Sequence, residues 1–192
     1  MTGCDDRWIN VKEMKSMKGR SRNIPLTGYI KFLVLIGLFG AIVIFRTYLI
    51  DRVIVSGTSM NHTFTDGSVL WVRKFNLCDM ERYDIVVAET NGRVVVKRVV
   101  GLPYETLEIV DGFVYINGDR LSDDYGGRIN DSGAFGGSIE LGEDEFFLLG
   151  DNRNHSIDSR SWGSVQRSDL KGICEYQIFP LNRIGTVRPV RE

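Results

Sequence analysis

The chain has 192 residues, of which 43% are hydrophobic and 26% are charged, so it can bury one sizeable core. Its net charge of −1 gives no reason to expect binding to nucleic acid. The three cysteines, Cys4, Cys78 and Cys174, lack the spacing of metal ligands, and their odd number leaves at least one thiol outside any disulfide. Since there are also only two histidines, the composition predicts no metal site, no disulfide scaffold and no cofactor.

An apolar segment near the N-terminus predicts a membrane anchor. Residues Phe32–Phe45 are fourteen consecutive residues without charge, and extension to Tyr29–Tyr48 gives about 30 Å of helix. Lys31 and Arg46 would then reach the two interfaces with their long side chains. A cleavable signal peptide or a buried core helix would give a similar pattern. However, the preceding segment is long for a signal peptide, and no Ala-x-Ala site follows. We therefore expect an anchor at residues 29–50.

The charges around this segment predict its orientation. Residues 1–31 carry seven basic and three acidic side chains. Because positively charged flanks stay in the cytoplasm, residues 1–28 are expected to form a cytoplasmic basic tail. Residues 51–192 would then form an extracytoplasmic domain. The sequence thus predicts a single-pass protein of the cell membrane that contacts membrane lipid.

Beyond residue 50 the pattern is typical of a mainly β fold. Short apolar runs predict six strands, at Val69–Arg73, Ile85–Thr90, Val94–Val100, Thr106–Val110, Phe113–Ile116 and Glu145–Leu149. Tight turns are predicted at Asp66-Gly67, Asn91-Gly92, Asp111-Gly112 and Asn117-Gly118. Residues 123–142 are polar and glycine-rich, which predicts a loop or a small excursion from the main domain. The predicted fold is a transmembrane helix followed by an antiparallel, β-rich domain.

A lysine within an apolar strand is the first candidate for chemistry. Burial of Lys97 in the run Val94–Val100 would lower its pKa and favour the neutral amine. A neutral amine is a general base, and such a base needs a nucleophile to deprotonate. Ser59, which follows Val53–Val55 and Gly57, is the best candidate for that nucleophile. Either residue alone is ordinary, because most strand lysines face solvent and most serines beside glycine form turns.

The loop Gly150–Arg160 is a stronger signal, because it concentrates polar side chains between an apolar strand and Trp162. So many polar side chains in one loop can indicate either a solvated loop or a hydrogen-bonded network that supports a site. Together with Ser59 and Lys97, it favours a serine/lysine hydrolase.

These segments resemble, in order, the motifs of the bacterial type I signal peptidases, which are membrane-bound serine/lysine proteases. The matching segments are Gly57–Met60, Tyr83–Val87, Val96–Pro103, Gly150–Arg160 with Gly163, and Phe179–Gly185. Five motifs in one order are highly specific. The resemblance implies a β-rich catalytic domain at the outer membrane surface. It also implies that signal peptides are cleaved from exported preproteins after small residues at −3 and −1.

The resemblance further implies roles for individual residues. Ser59 would be the nucleophile, its backbone N–H an oxyanion donor, and Lys97 the general base. Ser156 matches the position whose hydroxyl orients the lysine amine, and Asp158 and Arg160 match a pair that organises the site through a salt bridge. The other loop residues expected to organise the site are Asp151, Asn152, Arg153 and Ser159. No metal or cofactor is implied.

Several positions depart from the family pattern. His62 stands where proline is usual, and Tyr104-Glu105 replaces a usual Gly-Asp pair. Gly57 lacks a side chain that could act as a second oxyanion donor, as in many Gram-positive members. None of these changes removes a proposed catalytic group. His62 raises the alternative of a Ser-His pair, although a serine–lysine pair needs no histidine.

Other functions stay open at this point. A pilin or conjugation-type processing protease would share the motifs, whereas a self-cleaving repressor should carry a DNA-binding helix-turn-helix rather than a membrane segment. An inactive, membrane-tethered binding module would keep the fold without the activity. Retention of Ser59, Lys97, Ser156, Asp158 and Arg160 argues against such a module.

Overall fold

The N-terminal helix is long and apolar. The computed structural model describes residues 26–48, 50–74, 76–122, 125–130, 135 and 137–187, and the chain divides into two units after Ala41. Helix α1 (Leu26–Tyr48) contains the segment Thr27–Ile44, which has a mean hydropathy of 2.1 and no buried residue. By length and composition this helix could cross a membrane. The predicted tail, residues 1–28, lies outside the described residues as far as residue 25.

Among the described residues, eight strands form the larger of two antiparallel sheets. Their order is β1-β2-β11-β3-β4-β9-β10, with β12 beside β11. These strands are β1 (Ile50–Ile54), β2 (Val69–Arg73), β3 (Ile85–Thr90), β4 (Arg93–Gly101), β9 (Glu145–Leu149), β10 (Val165–Gln166), β11 (Leu170–Phe179) and β12 (Gly185–Thr186). A short helix, α2 (Ser159–Trp162), precedes β10.

The smaller sheet has the order β7-β6-β5-β8. Its strands are β5 (Thr106–Val110), β6 (Phe113–Ile116), β7 (Asp119–Arg120) and β8 (Ser138–Glu140). The mainly antiparallel β fold after one apolar helix, predicted from the sequence, is confirmed. The segment 123–142, for which a loop or a small excursion is predicted, contains the short strand β8, which pairs with β5.

The predicted turns owe their shape to residues that accept a positive φ. Asn91 and Gly92 have φ of 50° and 70° and join β3 to β4, and Asp111 and Gly112 join β5 to β6 in the same way. Turns with both central residues at positive φ match the twist of antiparallel strands. The six strands predicted from the sequence begin and end at the predicted residues, except that β4 is one residue longer at each end.

Strand β4 lies at the centre of the hydrophobic packing. Its Val96 belongs to a core cluster with Met60, its Val99 to a second with Leu148, and its Val100 to a third with Leu107. A side chain on β4 is therefore surrounded by apolar neighbours on either face of the sheet. This packing determines the environment of Lys97.

Candidate active site

Lys97 is buried in the middle of β4. Its side chain is only 3% exposed. In the antiparallel register Lys97 lies opposite Val86, so the two side chains are on the same face of the sheet. Val95 and Val99, two residues away on the same strand, share that face because side chains alternate along a strand. The ammonium form of Lys97 thus loses its hydration in apolar surroundings.

Ser59 lies in a compact turn that is anchored on both sides. Before it, Gly57 has φ of 90° and its N–H donates a hydrogen bond of 2.8 Å to the Asp66 carboxylate. After it, the side chains of Met60 and Phe64 are 1% exposed in the core, and the Phe64 N–H donates to the Met60 carbonyl. The turn therefore holds Ser59 in place while its side chain stays only half-buried.

The two predicted catalytic side chains meet. Nζ of Lys97 lies 2.7 Å from Oγ of Ser59, which is a hydrogen-bond distance. Burial lowers the pKa of Lys97 from 10.5 to about 8. A substantial fraction of the amine is then neutral at mildly alkaline pH, and a neutral amine can accept the serine proton. The pair has the geometry and the charge state of a nucleophile with its base.

Nearby charges reduce this pKa shift without reversing it. The carboxylates of Asp158 and Asp151 raise the pKa of Lys97, and Arg160 lowers it. Each carboxylate is already in an ion pair, Asp158 with Arg160 at 2.7 Å and Asp151 with Arg98 at 2.6 Å. Arg160 offsets part of this negative charge, and burial has the largest effect on the pKa of Lys97.

The loop Gly150–Arg160 reaches back to the Ser59 turn through its main chain. The Asn152 N–H donates to the Ser59 carbonyl at 3.0 Å, and Asn152 Nδ2 donates to the Thr58 carbonyl at the same distance. Gly150 makes this approach possible. A Cβ at that position would lie 2.6 Å from the Ser59 carbonyl oxygen and 2.2 Å from Ser156 Oγ. Asn152, which is expected to organise the site, therefore contacts the turn that carries Ser59 directly.

Asp158 and Arg160 organise the rest of the loop. Asp158 accepts hydrogen bonds from Arg160 Nε and Nη2 and from the Gly150 N–H, and it caps α2 through the Arg160 N–H. Arg160 also donates to the main-chain oxygen of Arg153, whose own Nε donates to the Gly150 carbonyl. Ser159 Oγ accepts from the N–H of Leu148 in β9. The salt bridge expected between Asp158 and Arg160 is present.

Ser156 is close to the site but does not yet contact the amine. Its Oγ is buried and has no hydrogen-bond partner among the described residues. A buried hydroxyl without a partner costs free energy, and it can still donate and accept a hydrogen bond. The orienting role of Ser156 stays a prediction. The Ser59 backbone N–H likewise has no acceptor within the described part of the chain, as an oxyanion donor requires.

Two residues of the site were not predicted from the sequence. Arg98, beside Lys97 on β4, is 1% exposed and binds both oxygens of Asp151. Thr63, four residues after Ser59, donates a hydrogen bond to Asp151 and accepts one from Arg98. The ring of Tyr125 covers the Arg98 guanidinium, 3.7 Å from its centroid. The sequence does show a second charged residue beside Lys97 in an apolar strand, but it does not show the partner of Arg98.

The sequence comparisons agree with this geometry. The sequence model of the family described as "Signal peptidase, peptidase S26" matches residues 26–179. The chain belongs to this family. It is 37% identical over 153 residues to signal peptidase I P of Bacillus subtilis subsp. natto, which covers 72% of this chain and 82% of that protein. It is 30% identical over 185 residues to signal peptidase I of Bacillus licheniformis, with coverage of 89% and 98%.

A solved structure of a signal peptidase I from Enterococcus faecalis V583 also matches, at 33% identity and a TM-score of 0.42, over 50% of this chain and 96% of that one. Membership of peptidase S26 makes the protein a serine endopeptidase. The inactive binding module considered from the sequence is thereby set aside.

Within the peptidase S26 pattern, the departure at His62 has a structural reason. His62 has φ of 90°, whereas the ring of proline fixes φ near −65°. The turn of this chain therefore excludes the proline that is usual there. His62 is exposed, and the hydrogen-bond partner of Ser59 Oγ is Lys97, which argues against a Ser-His pair.

Proposed function

We propose that this chain is a membrane-anchored signal peptidase that removes N-terminal signal peptides from exported preproteins, with Ser59 as nucleophile and Lys97 as general base. The observation that carries the proposal is the 2.7 Å contact between Lys97 Nζ and Ser59 Oγ, made by a lysine whose pKa burial lowers to about 8. Family membership supports the same activity.

In the acylation step, Ser59 Oγ attacks the carbonyl carbon of the scissile peptide bond while its proton passes to Nζ of Lys97. The carbonyl oxygen becomes an oxyanion, which accepts a hydrogen bond from the free N–H of Ser59. The intermediate then collapses, the C–N bond breaks, and Lys97 gives its proton to the departing amine. The mature protein leaves, and the signal peptide remains as an ester on Ser59.

In the deacylation step, the neutral Lys97 takes a proton from a water molecule that attacks the ester carbon. The second tetrahedral intermediate breaks at the bond to Ser59 Oγ, and Lys97 returns the proton to that oxygen. Ser156 is the proposed group that aligns the amine. The ion pairs of Asp158 with Arg160 and Asp151 with Arg98 hold the loop that carries it.

The proposed substrates have small residues at −3 and −1. A fluorogenic peptide with alanine at both positions should be cleaved by the purified full chain, and Ser59→Ala should abolish turnover. Ser168→Ala, at an exposed serine on the same domain, is the matched control and should leave the rate unchanged. Turnover by Ser59→Ala at the wild-type rate would remove the proposal. Profiling of exported protein N-termini after depletion of the enzyme distinguishes general signal peptide cleavage from specialised pilin-type processing.

The proposed topology places residues 1–28 in the cytoplasm, the anchor at residues 29–50, and residues 51–192 outside the cell membrane. Support comes from the excess of basic residues before α1 and from the apolar character of Thr27–Ile44. Protease added to intact protoplasts should remove the domain beyond residue 50 and spare the tail. Digestion of the tail, with the domain protected, would reverse the orientation.

A surface of the larger sheet supports contact with lipid. Trp71 lies opposite Tyr176, and Val69, two residues earlier on β2, lies opposite Ile54 and Phe179, so these side chains share one face. All except Val69 are exposed, Ile54 at 67% and Phe179 at 51%. This exposed apolar face and the apolar character of Thr27–Ile44 support the proposed contact with lipid. Brominated phospholipids should quench the fluorescence of the wild type more than that of Trp71→Phe, and equal quenching would exclude the contact.

A further inference from the structure

The segment Tyr125–Asn130 joins the smaller sheet to the catalytic loop, Gly150–Arg160. In sequence it lies between β7 and β8, and Ile129 anchors it to the smaller sheet. The Ile129 side chain is 4% exposed in a core cluster with Leu107, and its N–H donates a 2.9 Å hydrogen bond to the Gly112 carbonyl. Since this anchor combines apolar burial with a main-chain hydrogen bond, the sheet supports the rest of the segment.

Asn154, in the catalytic loop, binds this segment through both ends of its side-chain amide. Its Oδ1 accepts a 2.8 Å hydrogen bond from the Asn130 N–H, and its Nδ2 donates one of 3.3 Å to the Arg128 carbonyl. A residue in a parallel strand pair contacts two positions of its partner in the same way, two residues apart. The side chain of Asn154 therefore substitutes for a short piece of sheet between two loops.

Two buried arginines of the site lie against the same segment. The ring centroid of Tyr125 is 3.7 Å from the guanidinium of Arg98, on the strand of the catalytic lysine. Gly126 packs against Arg153, where a Cβ would lie only 2.3 Å from Arg153 Nε. The same Nε donates to the Gly150 carbonyl. The segment thus supports both the strand of the catalytic lysine and the beginning of the catalytic loop.

Asn154 is midway between the two parts of the catalytic loop that serve the pair Ser59 and Lys97. Two residues before it, the Asn152 N–H donates to the Ser59 carbonyl at 3.0 Å. Two residues after it, Ser156 carries the buried hydroxyl that is proposed to align the Lys97 amine. Catalytic groups keep their alignment when the chain that carries them is held by its surroundings. A contact at residue 154 holds both parts at once.

We propose that Asn154 is a positioning residue for catalysis, which fastens the catalytic loop to the smaller sheet and thereby holds Asn152 and Ser156 beside the catalytic pair. This role rests on the proposed peptidase activity. Asn154 acts through its neighbours in the chain, since its side chain binds the main chain of residues 128 and 130. Loss of alignment without loss of substrate contacts lowers kcat and leaves KM almost unchanged.

The test uses the purified full chain in detergent, with cleavage of the fluorogenic alanine peptide and with hydrogen exchange of the free enzyme. Asn154→Ala removes both hydrogen bonds, whereas Asn154→Asp keeps an oxygen that can accept from the Asn130 N–H. Asn130→Ala is the matched control, because it removes an exposed side chain and keeps the main-chain donor. Gly126→Ala disturbs the same contact without removing a hydrogen-bonding group, since its Cβ must displace Arg153.

We expect Asn154→Ala and Gly126→Ala to lower kcat about 10-fold, with a change in KM below about 2-fold. In both variants the amides of Gly150 and Asn152, which donate to Asp158 and to the Ser59 carbonyl, should exchange faster. The amides between β3 and β4 should keep wild-type protection. Asn154→Asp should recover most of the lost rate, and Asn130→Ala should match the wild type.

Wild-type kcat in Asn154→Ala would overturn the proposal, whatever the exchange rates. An equal loss of rate in Asn130→Ala would also overturn it, as would equally faster exchange throughout β3 and β4, because Asn154 would then stabilise the whole fold. A wild-type enzyme that does not cleave the peptide would instead contradict the proposed function. In that case, unchanged exchange at Gly150 and Asn152 in Asn154→Ala would still show that Asn154 does not hold the loop.

Discussion

The guanidinium of Arg98 and the carboxylate of Asp151 form a two-point ion pair, at 2.7 and 2.6 Å, in which both side chains are at most 1% exposed. The pair joins β4, one residue from Lys97, to the loop that follows β9. A buried ion pair is favourable only when further hydrogen bonds satisfy its remaining donors and acceptors. Thr63 provides such bonds to both partners, and it belongs to the turn of Ser59. Three segments of the site therefore meet at this ion pair.

Replacement of Thr63 should show whether this residue positions the Ser59 turn for catalysis or only stabilises the fold. Thr63→Val leaves Asp151 with one donor fewer, so the free energy of unfolding should fall by about 1.5–3 kcal/mol. Because the Ser59 turn loses its link to β4, kcat should fall about 10-fold with little change in KM. Thr63→Ser should restore both values. Thr65→Val, at an exposed position of the same segment, is the control. An unchanged kcat in Thr63→Val, despite lower stability, would limit Thr63 to a structural role.

The rate of cleavage should depend on the protonation of Lys97. Because burial lowers the pKa of Lys97 to about 8, the amine is protonated and inactive below that pH and becomes a base above it. The value of kcat/KM should rise with pH and reach half its maximum near pH 8. Lys97→Arg should be inactive across this range, since a guanidinium stays protonated. A rate independent of pH between 6 and 10 would contradict lysine as the base.

The same burial should cost stability at neutral pH. The unfolded chain binds a proton at Lys97 up to its ordinary pKa of 10.5, whereas the folded chain loses it near 8. Stability therefore rises with pH between these values. Lys97→Met should be more stable than the wild type at pH 7, and this advantage should shrink by about 2.5 kcal/mol on going to pH 10. Urea unfolding measures the difference. Lys171→Met, at an exposed lysine, should show no comparable change with pH.

The close approach at Gly150 should be intolerant of any side chain. In Gly150→Ala the new Cβ would lie 2.6 Å from the Ser59 carbonyl oxygen, so either the loop Gly150–Arg160 or the turn that carries Ser59 must move. We expect loss of about 100-fold or more in kcat, because displacement of a catalytic group by about 1 Å has that effect. Gly142→Ala is the matched control, since its Cβ would make only ordinary contacts beyond 3.4 Å. Equal activity of the two variants would show that the site adapts to the added methyl group.

Ser156 should matter for rate without being required. If its hydroxyl aligns the Lys97 amine in the bound complex, Ser156→Ala should lower kcat by about 10- to 1000-fold. Ser161→Ala, at a nearby exposed serine, should have no effect. Wild-type kinetics for Ser156→Ala would leave its buried hydroxyl without a function in catalysis.

Strands with strong local patterns could be predicted from the sequence, and those defined by distant pairing could not. The run Val94–Val100, which lies in β4, is almost wholly β-branched. The Asn91-Gly92 turn makes β3 its antiparallel partner. Strand β11, which lies between β2 and β3, was not predicted. It contains Gly172 and Gln177, and bulges shift its register at several points, so no alternation is visible. Strands of two or three residues, such as β8, depend on their partners alone.

The residues of the site also differ in whether a local sequence pattern or only the fold reveals them. Lys97 and Ser59 could be expected to meet because they occur together with the polar loop Gly150–Arg160, in segments that resemble the motifs of one family, although neither residue alone is informative. Arg98 could not be assigned, since alternation along the strand would direct it away from Lys97, toward solvent or toward an unseen partner. That partner, Asp151, is 53 residues later in the sequence. Only the fold brings the two together.

The short connection between α1 and β1 has a consequence for substrate choice. Helix α1 ends at Tyr48 and β1 begins at Ile50, and Ser59 follows nine residues later. Even fully extended, the chain from Tyr48 to Ser59 spans less than about 40 Å. In an anchored enzyme, this length limits the height above the bilayer at which a peptide bond can be cut. With the proposed anchor, the enzyme would select a preprotein by how far its cleavage point projects from the lipid surface, in addition to the residues around that point.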